Sequence, residues 1–510
     1  MAVNCFSSGV ATAAVLLAVG RPAPVWAHGG LRASVPTANA RLAAPPAVLR
    51  LTFSEAPELA VTRVALLGPG GRPVTLGPVT RAPQDRMTVT AAVPERLTAG
   101  AYTVRWQTAG ADGHPVRGQF AFAVVGAEAV GATAAGTLAG PLPDVPQSSV
   151  TDTGVGAPGA SEGETGAPDA EVPASFDASS PAYVAVRTLT YVALLVMIGA
   201  AAFRWLVLAA VERARAPAGA VGILEGTAPR AARFGAAASA GLLVAAGLRL
   251  VAQAVALAGG TEGAFDAAAL RSIITNTVWG WGWLLQLAAA VVAWAGFRAA
   301  ARAGVGPRAG RAGWAVAAFG VLVAAFTPAL SGHAASAPRL VSLAVLADGL
   351  HVLGAGGWLG SLFVLTAVGV PLALAAPASE RGPLVADLVN AFSPTALVFS
   401  GTVAVTGVFA AWLHLGRVPL LWQTDYGRLL LLKLGVLALV AGAGAYNWLR
   451  VRPALGDEAG GHRIRRSSAF ELGVGVAVLV VTAVLVATPT GMEAAMNAAM
   501  DAAPAATGEP

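Results

Sequence analysis

Three residues in the N-terminal part of the chain have the donor atoms and the spacing of a metal site. The first, His28, follows Val25-Trp26-Ala27, and small residues such as Ala27 precede the bond that signal peptidases cut. Cleavage there would give His28 a free α-amine, which can bind one metal ion together with the ring Nδ1. The alternative is an uncleaved anchor, in which that amine remains within a peptide bond.

The other two residues lie in Ala111-Asp112-Gly113-His114-Pro115. Asp112 and His114 are two residues apart, so they lie on one face of an extended segment. With His28 they offer nitrogen and oxygen donors, and a tetragonal set of such donors favours Cu(II). Glu55 is a candidate outer or weak axial ligand. For an isolated Asp-Gly-His sequence, the alternative is an Asx turn followed by a solvated histidine.

A second set of metal-binding side chains lies in the apolar C-terminal part. Asp348 and His351 are three residues apart and hence on one face of a helix. His351 is roughly 16 Å along that helix from Leu340, a depth at which ionisable groups are costly and usually functional. A buried helix–helix hydrogen bond is the alternative. His333 and His414 lie at predicted outer helix ends and could receive metal, although each alone is typical of a surface histidine.

The C-terminal tail contains Met492, Met496 and Met500, which a helix would align because they are four residues apart. Thioethers suit Cu(I), and the alternative is an ordinary Ala-rich tail. The single cysteine, Cys5, falls in the predicted signal peptide. A mature chain without thiols has neither disulfides nor thiolate metal sites.

The composition indicates a membrane protein. Of 510 residues, 56% are hydrophobic and 12% are charged, whereas soluble domains contain about 25% charged residues. The net charge of +6 comes from arginines between apolar runs rather than from one basic patch, which argues against nucleic-acid binding. No G-x-x-x-x-G-K-[ST] loop or phosphorylated-aspartate motif is present, so we expect no nucleotide partner.

The first folded part is predicted to be an all-β sandwich or barrel. Leu49, Leu51 and Phe53 alternate with polar residues, and the same period of two recurs in 87–93, 102–106 and 120–124. The domains predicted along the chain are a signal peptide (1–27), this β-domain (28–126), a flexible linker (127–180), a membrane domain (181–488) and an extracytoplasmic tail (489–510).

The membrane domain is predicted to be an all-α bundle of about eight spans. These are 182–208, 232–258, 277–298, 312–330, 340–368, 386–412, 428–449 and 469–488. Arginines cluster after the first, third and seventh spans, which makes odd-numbered loops cytoplasmic and leaves both the β-domain and the C-terminus outside. Lys433 is expected to extend towards the outer surface and Arg428 to anchor its helix.

Several motifs of the β-domain resemble the CopC family of extracytoplasmic copper-binding proteins. They are His28, Leu51-Thr52-Phe53-Ser54-Glu55, Gly100-Ala101-Tyr102-Thr103-Val104-Arg105-Trp106 and Ala111-Asp112-Gly113-His114-Pro115-Val116. The resemblance implies an immunoglobulin-like Greek-key barrel that binds Cu(II) through His28, Asp112 and His114. Some CopC proteins also have a Met-rich Cu(I) site, which is not carried over because this domain contains only Met87.

The membrane part is similar to the CopD family. The matching residues are Ser331-Gly332-His333-Ala334, Asp348, His351, Gly356-Gly357-Trp358-Leu359-Gly360, Phe392-Ser393, Thr406-Gly407, Thr424-Asp425-Tyr426-Gly427-Arg428 and Lys433. A CopC–CopD fusion implies an inner-membrane protein, not an enzyme, that captures Cu(II) outside and passes copper through the membrane for import, homeostasis or resistance. Its expected partners are copper ions, the lipid bilayer and an extracytoplasmic copper chaperone.

Two other functions remain open at this point. An amine with two histidines is the copper arrangement of oxidative polysaccharide-cleaving monooxygenases, but Asp112 would fill the position that oxygen needs. A haem-binding electron-transfer bundle needs two histidines at matched depth. His351 is deep, whereas His333 and His414 lie near one surface, so this pairing is poor.

Overall fold

The computed structural model describes residues 30–54, 56–93, 97–109, 115–125, 180–215, 226–258, 265–302, 307–330, 334, 340–455, 458–492, 494 and 495. The predicted signal peptide and nearly all of the predicted linker lie outside these ranges. The chain divides into two compact units. One contains the described residues of 26–175 together with those of 254–280, and the other contains those of 176–253 and 281–510.

Nine strands in the described residues form a β-sandwich. They are β1 Leu31–Val35, β2 Arg41–Leu42, β3 Val48–Phe53, β4 Arg63–Leu67, β5 Pro73–Val74, β6 Thr80–Ala82, β7 Asp85–Ala92, β8 Gly100–Ala109 and β9 Pro115–Val124. One sheet has the order β1-β3-β7-β6 and the other β2-β9-β8-β4-β5. Neighbouring strands are antiparallel except for the short parallel pair β2–β9.

The sandwich core follows from the alternation in the sequence. Leu49, Leu51 and Phe53 of β3 are buried, while Arg50 between them is exposed. Phe53 reaches the second sheet, where its ring meets Trp106 edge-on with centroids 5.2 Å apart. The predicted all-β fold is therefore confirmed, and each sheet turns one apolar face towards the other.

Ten helices occur in the described part of the second half. They are α1 Pro181–Ala214, α2 Thr227–Ala258, α3 Ala267–Asn276, α4 Val278–Ala301, α5 Pro307–Leu330, α6 Val341–Leu374, α7 Ala378–Leu415, α8 Leu420–Gln423, α9 Asp425–Val451 and α10 Glu458–Leu485. All but α3 and α8 are long and apolar enough to cross a membrane. The predicted bundle of eight spans is thus confirmed for the described residues.

The ends of the spans differ from the predicted ones because helices continue past the apolar residues that mark them in the sequence. The eighth span begins at Gly460 rather than at residue 469, since the polar residues before 469 are also helical. Wide π-helical turns interrupt α1, α6 and α9, at Phe203–Leu208, Gly356–Gly360, Leu365–Gly369 and Asn447–Val451.

Small residues let several spans approach at the level of the backbone. A methyl group added at Gly199 of α1 would overlap the backbone of Gly360 in α6, and one at Gly296 of α4 would overlap Ala317 of α5. Lipid tails are as apolar as the side chains, so membrane helices associate by such close packing rather than by the hydrophobic effect.

Candidate metal sites

Three segments of the β-sandwich meet at one end of this unit. The backbone N–H of Ser54, just after β3, donates to the carbonyl of Gly30, just before β1, at 2.9 Å. The N–H of Glu58 donates to the carbonyl of Ala109, the last residue of β8, at 3.0 Å. The start of β1, the end of β3 and the base of the β8–β9 hairpin therefore lie close together.

Buried side chains hold this end of the sandwich in place. The hydroxyls of Thr62 and Thr108 are 2.8 Å apart, and that of Thr62 also donates to the carbonyl of Glu58 at 2.8 Å. On β9, Gly118 leaves room for the indole of Trp106, whose ring atoms would lie as close as 2.5 Å to an added methyl group. These contacts brace the hairpin base within the sheet β2-β9-β8-β4-β5.

The four predicted ligands of the β-domain, His28, Glu55, Asp112 and His114, lie outside the described residues. Their neighbours in the chain do not. His28 precedes Gly30 by two residues, Glu55 follows Ser54, and the other two belong to the connection between the paired residues Ala109 and Pro115. The described backbone therefore places the chain positions adjacent to all four predicted ligands at one end of the sandwich.

Glu58 is a carboxyl at the same end of the sandwich, and no pattern in the sequence singles it out. Burial raises its pKa above the usual range, and the positive charge of Arg81 partly offsets that effect. An amphipathic pattern does not distinguish such a residue from an exposed glutamate, because the residues that surround it, such as Arg81 and Val278, are distant in the sequence.

The membrane domain places His351 against α7. The His351 Nδ1 is 2.9 Å from the Thr406 hydroxyl, and that hydroxyl is 2.7 Å from the carbonyl of Thr402. In the tautomer that carries hydrogen on Nδ1, the histidine donates to Thr406, whose own hydroxyl hydrogen goes to the carbonyl of Thr402. The lone pair of the neutral ring is then on Nε2, and partners of this kind fix the tautomer of metal-binding histidines.

Asp348 lies one turn before His351 on α6, as predicted, and its main charged neighbour is on α9. The Lys433 ammonium acts on Asp348 and on His351 through its positive charge. The prediction that Lys433 extends to the outer surface is therefore wrong, because an isolated carboxylate at this depth attracts the ammonium inward.

The remaining candidates of the predicted path are not brought together with this pair. Within the described ranges, no three His, Cys, Asp or Glu side chains are close enough to hold one metal ion. His414 lies in the last turn of α7, and Met492 packs against Gly416 just beyond that helix. His333, Met496 and Met500 lie outside the described residues.

The bundle also buries polar side chains that the sequence analysis did not select. Arg249 of α2 donates to Gln286 of α4 at 3.2 Å, and Gln286 donates to Thr327 of α5 at 3.0 Å. The guanidinium of Arg187 in α1 lies 5.2 Å from the ring centre of Tyr183. Arg187 and Arg249 each interrupt an apolar run, and this interruption is the signal in the sequence that could have identified them.

Family comparisons agree with the two-part architecture. The CopC domain family matches residues 31–125, the Copper resistance protein D-like N-terminal domain matches 177–341, and Copper resistance protein D matches 386–485. The chain is a CopC–CopD fusion. The order of its parts is the order that the motifs of the sequence predict.

Named relatives cover both parts of this CopC–CopD protein. It is 25% identical over 491 residues to the Copper transport protein CutJ of Bacillus subtilis (strain 168), an alignment that covers 94% of this chain and 78% of CutJ. Protein YobA of Escherichia coli (strain K12) is 34% identical over 100 residues, which are 20% of this chain and 81% of YobA. Copper resistance protein D of Pseudomonas syringae pv. tomato is 29% identical over 327 residues, 62% of this chain and 99% of that protein. The fusion is therefore a multi-pass membrane protein of the copper-handling families.

Proposed function

We propose that this protein captures Cu(II) outside the cell membrane and passes copper through its membrane domain. His28, Asp112 and His114 bind the ion, and Asp348 and His351 take it up within the bundle. The observation that carries the passage through the membrane domain is the 2.9 Å hydrogen bond between His351 Nδ1 and Thr406, because the tautomer with hydrogen on Nδ1 presents Nε2 as a ligand within a helix bundle.

The capture step is supported by the arrangement of the β-sandwich. The hydrogen bonds from Ser54 to Gly30 and from Glu58 to Ala109 fix the attachment points of the proposed ligands at one end. An amine, two imidazoles and a carboxylate form a nitrogen and oxygen set that suits Cu(II) better than Cu(I), which prefers thioethers and thiolates. Glu55 is proposed as a weak further ligand.

The passage step is supported by the chemistry of the fifth span. Asp348 and His351 provide one oxygen and one nitrogen donor on neighbouring turns of α6, and Lys433 balances the carboxylate while no copper is bound. Two ligands hold copper weakly enough to release it, which a passage site requires. His333 and His414 are proposed as entry ligands, and Met492, Met496 and Met500 as a weaker Cu(I) site.

The orientation is proposed from the charged loops. Arginines after the first, third and seventh spans place those loops in the cytoplasm of an inner-membrane protein, so the β-domain faces the outside. An extracytoplasmic chaperone would then deliver copper to the end of the sandwich that carries the proposed ligands.

Cellular copper content tests the proposal. Cells that express the wild-type chain are compared with cells that lack it and with cells that express His351→Ala, at equal protein levels. His462→Ala is the matched control, since His462 is an exposed histidine of α10. We expect copper content to change with the wild type and the control but not with His351→Ala; equal copper content in all four strains would rule out transport.

A further inference from the structure

The eighth span buries a carboxyl that the proposed copper path does not use. Glu471 of α10 is 3% exposed. Its Oε2 accepts a hydrogen bond of 3.1 Å from the side-chain Nδ2 of Asn447 in α9, and the indole N–H of Trp358 in α6 donates to the same carboxyl. Three spans therefore converge on one acidic group.

Irregular helix geometry surrounds this carboxyl. Asn447 begins the π-helical turn of α9, and Trp358 lies in the π-helical turn Gly356–Gly360 of α6. Gly444 leaves space beside the carboxyl, because a methyl group there would lie 3.5 Å from Oε1. Single π-helical turns within α-helices are frequent at functional sites, since they widen the helix and turn a side chain towards a neighbour.

No charged side chain balances Glu471 within the described part of the bundle. The helices packed on α10, and α10 itself, carry these titratable and charged groups in their described residues: Tyr183, Arg187, Tyr191, Arg204, Glu212 and Arg213 of α1, Asp348 and His351 of α6, Glu380, Arg381, Asp387 and His414 of α7, Asp425, Tyr426, Arg428, Lys433, Tyr446 and Arg450 of α9, and His462, Arg463, Arg465 and Arg466 of α10. None of them forms an ion pair with Glu471 or acts on it by charge, and its only partners among the described residues are the two N–H donors.

A carboxylate without a counter-ion is costly in a low-dielectric interior, so protonation of Glu471 removes a large penalty. The two N–H donors stabilise the ionised form. Asn447 can also serve the neutral form, because its Oδ1 is buried without a hydrogen-bond partner. Rotation of the amide by half a turn would present that oxygen to the acidic hydrogen of Glu471.

The same surroundings argue against a metal ion at this carboxyl. Within the described residues, no second acidic or histidine ligand joins Glu471 in a metal-binding group. Hard cations require about six oxygen ligands, whereas the described partners of Glu471 are donors. A proton is the one cation that this set of groups accommodates in both states.

We propose that Glu471 is a proton-coupling site for the passage of copper, and that the Asn447 amide bonds to its carboxyl in both the ionised and the protonated form. Its carboxylate takes up one proton from one aqueous face and releases it to the other during each transport cycle. This inference rests on the proposed copper transport and adds its driving force. It gives the bundle an energy source that does not depend on a nucleotide.

The first test is infrared difference spectroscopy of the full-length protein in lipid bilayers during a pH titration. We expect a carbonyl band of a protonated carboxyl that is absent in Glu471→Gln and present in Glu471→Asp. Asp425→Asn is the matched control, because Asp425 is an exposed carboxyl at the start of the neighbouring helix α9. Spectra of Glu471→Gln that are identical to wild type would overturn the assignment of the site.

The second test is copper flux in proteoliposomes with and without an imposed proton gradient. We expect the gradient to change wild-type flux by roughly fivefold or more, the lower end of coupling between sites in proteins. Glu471→Gln should lose this response, and Glu471→Asp and Asp425→Asn should keep it. A full response in Glu471→Gln would overturn the coupling alone, whereas absence of flux in the wild type would overturn the transport proposal together with the coupling, even if the infrared band is present.

Discussion

The β-sandwich and the helical bundle position their candidate copper ligands in different ways. In the sandwich, backbone hydrogen bonds bring together the points from which the ligands extend, as Ser54 does with Gly30 and Glu58 with Ala109. In the bundle, each ligand depends on a side chain of another helix, as His351 depends on Thr406. The sandwich can therefore tolerate side-chain changes around its site, whereas the bundle is sensitive to single atoms of its neighbours.

The largest expected effect is on the affinity for Cu(II), which should depend on the site in the β-sandwich and not on the site in the bundle. His114→Ala should lower the affinity of the full-length protein for Cu(II) by about 100-fold or more, since removing one of three strong ligands leaves an incomplete set. His351→Ala should leave that affinity unchanged. Titration of the visible absorption of bound Cu(II) measures both, and equal losses in the two variants would show that the sites are not independent.

The second prediction concerns the charge balance of the bundle. Lys433→Met should lower the free energy of unfolding by about 1–3 kcal/mol, because the Asp348 carboxylate loses the positive charge that acts on it. Adding Asp348→Asn should restore most of the loss, since the neutral pair no longer requires a counter-charge. Thermal unfolding in detergent measures these differences; a double variant as unstable as Lys433→Met would contradict the pairing.

Sequence patterns predicted the regular elements of both regions but not the contacts between helices. Alternation identified β3 and the hydrophobic runs identified eight spans, because both signals are local. The contact of Glu471 with Asn447 joins residues 24 positions apart on different helices, and no periodicity shows which faces of two helices meet. Lys433 was assigned to the surface for the same reason, as its partner Asp348 lies 85 positions earlier in the sequence.

The third prediction tests the orientation of the His351 ring. Thr406→Val keeps the shape of the side chain but removes the acceptor of the Nδ1–H. Copper flux should fall by about 10- to 100-fold, the usual cost of losing a partner that orients a ligand. Thr402→Val is the control, because its hydroxyl bonds only to the backbone of its own helix. Equal flux in both variants would show that His351 needs no orienting partner.

The smallest expected effect concerns the pH dependence of the sandwich. Because burial raises the pKa of Glu58, the unfolded chain ionises before the folded one, and the wild type loses stability as the pH rises through this interval. Glu58→Gln should therefore be more stable than the wild type at neutral pH, and this advantage should disappear in mild acid. Hydrogen exchange of β8 in the full-length protein measures the difference, and an advantage that grows in acid would contradict it.

The contact between Gly199 and Gly360 restricts how the membrane domain can move. With hydrogen atoms as the only groups between the two backbones, α1 and α6 cannot slide past each other without separating. In contrast, only 11% of the residues in an apolar 18-residue stretch of α9 and 17% of those in α7 are buried within the protein, against 67% for α6. We therefore expect α1 and α6 to stay together as a stationary pair during a transport cycle. The larger displacements should occur in α7 and α9, which carry Thr406, Lys433 and Asn447, and these displacements would expose and cover the copper site.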